Sequence, residues 1–169
     1  MQTNFLEEVV AEWLEYQGYL VKRNERVGRN PNGNGGHEGE LDVVAFNPKT
    51  GDLLHVEPST DCWSWPIREE KFRRKFASGG KYVKSLFDGL TLPDEIRQKA
   101  VFAYGSDRNH ETIGGGEVQM AEELLVEILR HLKRIRFSSR AVPERYPILR
   151  VLHMIARHRN RIVAVLKEP

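Results

Sequence analysis

GELDVVAF (residues 39–46) and DLLHVE (residues 52–57) decide the fold. Each is a short apolar run, and NPKTG (residues 47–51) between them carries the Pro and Gly of a hairpin turn. Two antiparallel strands are expected. Each also carries an acid that a core does not need: Asp42 between Leu41 and Val43, and Glu57 after Val56. Pro58 then removes a ladder donor and releases the chain where Glu57 projects. Two carboxylates at neighbouring strand ends supply the oxygen ligands that a hard divalent cation prefers.

Working outward, residues 4–17 predict a helix. Leu6, Val9, Val10, Trp13 and Leu14 recur at helical spacing, Asn4 caps the start with Glu7 three residues on, and Gly18 ends it. YLVKRNERV (19–27) alternates as a strand. GRNPNGNGGHEG (28–39) has little to bury and is expected to be a mobile loop that can close over a substrate. PIREEKFRRKFASGG (66–80) reads as a charged helix that starts at Pro66, ends at its glycines, and resumes over KYVKSLFDGL (81–90). QKAVFAYGS (98–106) and GGGEVQM (114–120) read as strands. AEELLVEILRHLKRI (121–135) is an amphipathic helix, and ILRVLHMIARHRNRIV (148–163) a basic one. The order helix, three strands, helix, strand, strand, helix predicts an α/β domain. Its centre is one mixed β-sheet flanked by helices, over residues 1–137, with a basic helical extension over 138–169.

The 169 residues are 40% hydrophobic and 30% charged, ordinary for a globular chain. No apolar run reaches the roughly 20 residues of a membrane span. The first residues carry acids where a secretory leader carries a basic start, so a cytoplasmic protein is expected. The single Cys62 excludes an internal disulfide and a cysteine zinc cluster. Net charge is only +2 but unevenly spread. Residues 1–129 hold 15 Lys/Arg against 22 Asp/Glu, and residues 130–169 hold 11 against 2. Such asymmetry points to a polyanion as partner, nucleic acid first. An acidic body and a basic tail also allow the tail to pack on its own chain or on a second copy in a homodimer.

Three motifs in order resemble the PD-(D/E)xK nuclease superfamily, whose core is restriction-endonuclease-like. Glu7-x-x-Val10-x-x-Trp13-Leu14-x-x-x-Gly18-Tyr19 is similar to the first helix of its resolvase-like members. Gly39-Glu40-Leu41-Asp42 and His55-Val56-Glu57-Pro58-Ser59 resemble their two metal-binding strands. The resemblance covers residues 4–130. It implies that Asp42 and Glu57 hold Mg²⁺ or Mn²⁺, with Glu7 as a third acid. It further implies hydrolysis of phosphodiester bonds in nucleic acid, DNA first. On a helical wheel Glu7 sits at the edge of the apolar face and Glu8 points to solvent, which favours Glu7, although a capping role for Glu7 stays open.

Ser59 departs from the pattern, since the family carries a catalytic lysine at that place. Lys71 on the next helix is the first candidate to replace it and Lys75, one turn on, the second; the cation alone could also activate water. Alternatively the chain binds nucleic acid or assembles with a partner without catalysis. Asp61 could add a ligand or a hydrogen-bond partner, or cap a turn before Trp63, and His55 could replace the base or simply face a helix. Arg68, Arg74 and Lys75, with Arg157, Arg159 and Arg161 of the tail, are candidate phosphate contacts. Trp63 and Trp65 read as core or lid residues that could stack on a base. Gly114–Gly116 lacks the Lys-Ser/Thr of a phosphate loop and reads as a turn.

Overall fold

The computed structural model describes residues 4–29, 36–105, 109–136 and 141–168. A six-stranded mixed sheet runs in the order β1-β2-β3-β4-β6-β5. Its strands are β1 (Leu20–Arg29), β2 (His37–Asn47), β3 (Asp52–Ser59), β4 (Arg97–Phe102), β5 (Thr112–Ile113) and β6 (Gly116–Met120). β1, β2 and β3 pair antiparallel, β3–β4 and β4–β6 parallel, and β5–β6 antiparallel. The parallel β3–β4 pair needs a crossover, supplied by α2 (Trp65–Tyr82) and a 3-10 turn, Val83–Phe87. The expected α/β class, a mixed sheet with helices against it, is what the chain forms.

α1 (Phe5–Tyr16) packs on β1, β2 and β3. Its start is capped by Asn4, whose Oδ1 accepts the Leu6 N–H at 3.0 Å. Arg23 of β1 ties the helix down by reaching Glu8 at 2.5 Å and Glu15 at 2.7 Å. The β2–β3 turn is closed by Asn47, which accepts from Gly51 N through its carbonyl and from Lys49 N through its side chain. One core cluster joins Val27, Leu41, Val44, Phe46 and Leu53 to Val83 and Phe87. A second sets Phe72 and Phe76 of α2 against Ala100, Phe102 and Ile113. Burying each phenyl ring is worth roughly 1.5–3 kcal/mol, so this stripe fixes how α2 lies.

Several sequence expectations are corrected. The segment 28–39 is strand at both ends, with Val27 opposite Gly39 and Arg29 opposite His37; residues 30–35, and with them the loop expected to close over a substrate, lie outside the described residues. α2 does not stop at its glycines but runs through Gly79 and Gly80 to Tyr82, because Gly79 is pressed against β3. The turn expected at the glycines does form, at Gly114 and Gly115 between β5 and β6; Gly114 has φ +56 and lies so close to α2 that a Cβ would fall 2.4 Å from the Arg73 backbone nitrogen.

The chain divides into two compact units, Met1–Ala121 and Glu122–Pro169. The second holds α3 (Ala121–Leu132, from its second residue), α4 (Pro147–Arg157) and α5 (Arg159–Leu166). α3, assigned to the first domain from sequence, thus falls almost wholly in the second unit. The basic segment expected as one helix is two, broken at His158. Within this unit His153 is buried and its Nε2 lies 3.1 Å from the Ile135 carbonyl. Among the described residues no helix is long and apolar enough to cross a membrane.

Candidate functional site

β2 and β3 end their pairing at Val43 and Val56. Asp42 and Glu57 stand one residue beyond on each strand. Pro58 does not release the chain as expected, because Glu57, Pro58 and Ser59 pair on the other side of β3 with Ala100, Val101 and Phe102 of β4. The Asp42 N–H donates to Glu57 Oε1 at 3.3 Å. The two carboxylates face α2, whose Lys75 Nζ reaches Asp42 Oδ2 at 2.8 Å and makes a still closer ion pair with Glu57 Oε2. The Glu57 side chain is wholly buried, and that of Asp42 is 13% exposed. Of the two lysines considered from sequence, Lys75 is the one that reaches both acids, while Lys71, the first candidate, pairs with Asp61.

Behind Glu57 stands His55, two residues back on the same strand face and equally buried. His55 Nε2 lies 2.6 Å from Glu57 Oε1. Gln98 Nε2, a donor, lies 3.3 Å from His55 Nδ1, which makes Nδ1 the acceptor and Nε2–H the donor to Glu57. The ring is edge-on to Phe76 at 5.5 Å. A histidine sealed in this way orients Glu57 and does not face the cleft as a base.

These contacts divide the charge unevenly. Burial, then the charge of Glu57, push the Asp42 carboxyl up to about 8. Burial also works to raise Glu57, but the His55 hydrogen bond and the Lys75 charge outweigh it and hold that carboxyl low. Burial would lower Lys75, yet the two carboxylates keep its ammonium above the usual lysine range. Glu7 is raised by burial, and the charge of Glu57 adds to this while Lys75 opposes it.

Glu7, Asp42, Ser59, Asp61, Lys71 and Lys75 are among the residues that line one open cleft of about 200 Å³. Glu8 instead pairs with Arg23, so the wheel argument for Glu7 agrees with its position. A neighbouring hollow of about 430 Å³ runs along Glu38, Glu40, Lys71, Arg74 and Lys75. Asp61 is the hub of the cleft's far wall. It accepts from Ser59 Oγ at 2.5 Å, Lys71 Nζ at 3.1 Å and Arg68 Nε at 3.1 Å. Burial would raise its pKa, but the Ser59 and Lys71 bonds outweigh that and hold it low.

Arg68 requires a correction. It is 2% exposed, donates Nη2 to the carbonyls of Asp61 and Tyr104, and lies over the Phe102 ring at 4.4 Å. A buried guanidinium spent on Asp61 and two backbone carbonyls is not a phosphate contact. Lys75, also considered for phosphate, is engaged by the acids. Arg74 is exposed and leans on Glu70 at 3.5 Å. Arg157 ends α4, and Arg159 and Arg161 open α5, all three in the second unit and on exposed positions. Sequence reasoning missed His55 as the partner of Glu57; Asp61 does act as the hydrogen-bond partner, and the turn acceptor for Trp63 N–H, that its place suggested. The spacing 55/57, two strand residues on one face, held the missed signal.

Asp42 and Glu57 offer the oxygen donors that a hard divalent cation takes. Among the described residues no three His, Cys, Asp or Glu side chains converge as a ready-made metal cluster; the pair is Asp42 and Glu57, with Glu7 lining the same cleft. No protein-family model matches the chain, and no curated protein matches it in sequence.

Proposed function

We propose that the chain is a metal-dependent nuclease that hydrolyses phosphodiester bonds in nucleic acid, DNA first, on a core of the PD-(D/E)xK kind. The observation that carries this reading is Lys75: a lysine from the crossover helix meets both strand-end carboxylates in an open cleft. Asp42 and Glu57 would hold Mg²⁺ or Mn²⁺ with Glu7 alongside, and the bound cation supplies Lewis-acid polarisation and a water of lowered pKa. Lys75 keeps a fixed positive charge where negative charge develops on a phosphoryl group, which in a half-buried site is worth more than in water. His55 fixes the Glu57 rotamer by holding Oε1, which leaves Oε2 toward Lys75. Asp61 holds Lys71 at the cleft wall as a second cation.

One observation favours a second reading, a binding or assembly module without catalysis. Among the described residues every buried side-chain N or O has a hydrogen-bond partner, so the Asp42–Lys75–Glu57–His55 chain is complete in itself. Linear, supercoiled and branched DNA and single-stranded RNA, each with Mg²⁺ and with Mn²⁺, separate the two. The nuclease reading expects cleavage by wild type and none by Asp42→Ala. Folded wild type that cuts nothing moves the assignment to the second reading.

A further inference from the structure

Two large aromatic side chains stand in solvent beside the cleft: Trp63 at 58% and Tyr104 at 54% exposure. Scattered surface aromatics are ordinary, but the backbones of these two are tied to one post. Arg68 Nη2 takes the carbonyl of Asp61 at 2.6 Å and that of Tyr104 at 3.1 Å. The Trp63 N–H donates to Asp61 Oδ1 at 3.4 Å, and Gly105 wraps so closely that a Cβ there would lie 2.9 Å from Arg68 Nη1. Ala103 N–H donates to Ser59 O at 2.9 Å, which continues the β3–β4 pairing up to this rim. Both segments are thus held firm by a buried residue while their rings remain uncovered.

We propose that Trp63 and Tyr104 form a stacking platform for unpaired bases, making single-stranded nucleic acid, or the loose strand of a branched one, the substrate class of this site. The inference rests on the nucleic-acid reading above. A duplex hides its base faces; a single strand offers them, and an aromatic ring accepts any base. Asp61 lines the cleft and Trp63 follows it by two residues, so a base on Trp63 lies next to a backbone entering the cleft. Exposed Lys71 and Arg74 on α2 take the flanking phosphates.

Binding tests this without cleavage. Wild type, Trp63→Ala, Trp63→Phe and Tyr104→Ala, full length, are titrated in Ca²⁺ with oligo-dT, oligo-U and a DNA hairpin duplex, and their folding is checked by circular dichroism. Stacking predicts quenching of tryptophan fluorescence by single strands, lost in Trp63→Ala. It predicts affinity for single strands about five- to a hundredfold weaker in each alanine variant, unchanged duplex affinity and partial rescue by Trp63→Phe. Oligo-U binding like oligo-dT extends the class to RNA; oligo-dT alone confines it to DNA. Equal losses on strand and duplex, an unaffected Trp63→Ala, or no binding by wild type each overturn the platform. A wild type that stacks single strands but never cuts them defeats the nuclease reading and leaves the platform standing.

Discussion

Gly79 of α2 lies against His55 of β3 so tightly that a Cβ on Gly79 would fall 2.0 Å from His55 Nδ1. Gly80, its neighbour, has nothing within 4 Å. The two glycines therefore predict opposite outcomes. Gly80→Ala should stabilise the fold by about 0.5–1 kcal/mol, the helix-propensity gain. Gly79→Ala makes the same gain but must displace a buried ring, at a cost of about 1–3 kcal/mol, and it disturbs the His55–Glu57 bond. Urea midpoints should rise for the first and fall for the second; equal midpoints would falsify the close packing.

The lysine that serves the acids can be told from its neighbour. Lys75 is 26% exposed and bridges two carboxylates, whereas Lys71 is 43% exposed and pairs with Asp61. Lys75→Met leaves buried charge uncompensated, which costs about 3–5 kcal/mol where both acids are ionised. Lys71→Met removes a solvent-screened pair worth under about 1 kcal/mol. If the chain cuts nucleic acid, Lys75→Met should abolish cleavage while Lys71→Met only weakens it. The reverse ranking would restore Lys71 to the role read from sequence.

The order of these two lysines shows where sequence reading stops. Asp42 and Glu57 were legible because an acid inside an apolar strand needs a reason, and local alternation places it. Lys71 and Lys75 differ by one helical turn, and which of them reaches the acids depends on how far α2 is shifted along β3. That shift is set by Gly79 on His55 and by Phe72 and Phe76 in the core, contacts between residues far apart in the chain. Arg68 was misread as a surface charge, although it precedes Phe72 and Phe76 by four and eight residues and so shares their buried stripe. The hydrogen bond of Asp61 to Ser59 is local and within reach of sequence reading, whereas its bond to Lys71 needs β3 and α2 already docked.

The raised Asp42 carboxyl predicts the sign of a pH dependence of folding. That carboxyl is raised to about 8, first by burial and then by Glu57, and the unfolded value is about 4. Between these values the folded chain keeps a proton that the unfolded chain has released. Stability contributed by this group therefore falls as pH rises through the window, by up to about 1.4 kcal/mol per unit, and levels off above it. Glu57, held low, acts oppositely: its contribution is present above the unfolded value and is lost as pH falls below it. Denaturation in chelator at about pH 5 and about pH 8 should show wild type losing stability and Asp42→Asn losing less. If Asp42 and Glu57 hold a cation, Mn²⁺ at a hundredfold excess over Kd should stabilise wild type by about 2.7 kcal/mol, with a tighter Kd at the higher pH, and should stabilise Asp42→Asn hardly at all. An Asp42→Asn profile as steep as wild type, with an equal response to Mn²⁺, would remove Asp42 from both roles.

Arg68 and Arg74 share a helix and a charge but should fail in different ways. Arg68 is buried against Phe102 and satisfies two backbone carbonyls and Asp61. Arg68→Ala strands these acceptors and opens a void, so a loss of about 3–5 kcal/mol is expected. Arg74 is exposed, with its guanidinium on Glu70, and Arg74→Ala should leave the melting temperature nearly unchanged. If α2 contacts a nucleic-acid backbone, Arg74→Ala lowers the slope of log K against log salt by about 0.9 on duplex or about 0.7 on a single strand, one phosphate's worth. Measured slopes at several salt concentrations, beside thermal melts of both variants, separate a structural arginine from a binding one. A slope unchanged by Arg74→Ala would place the phosphate contact elsewhere, with Lys71 of the same helix the next residue to replace.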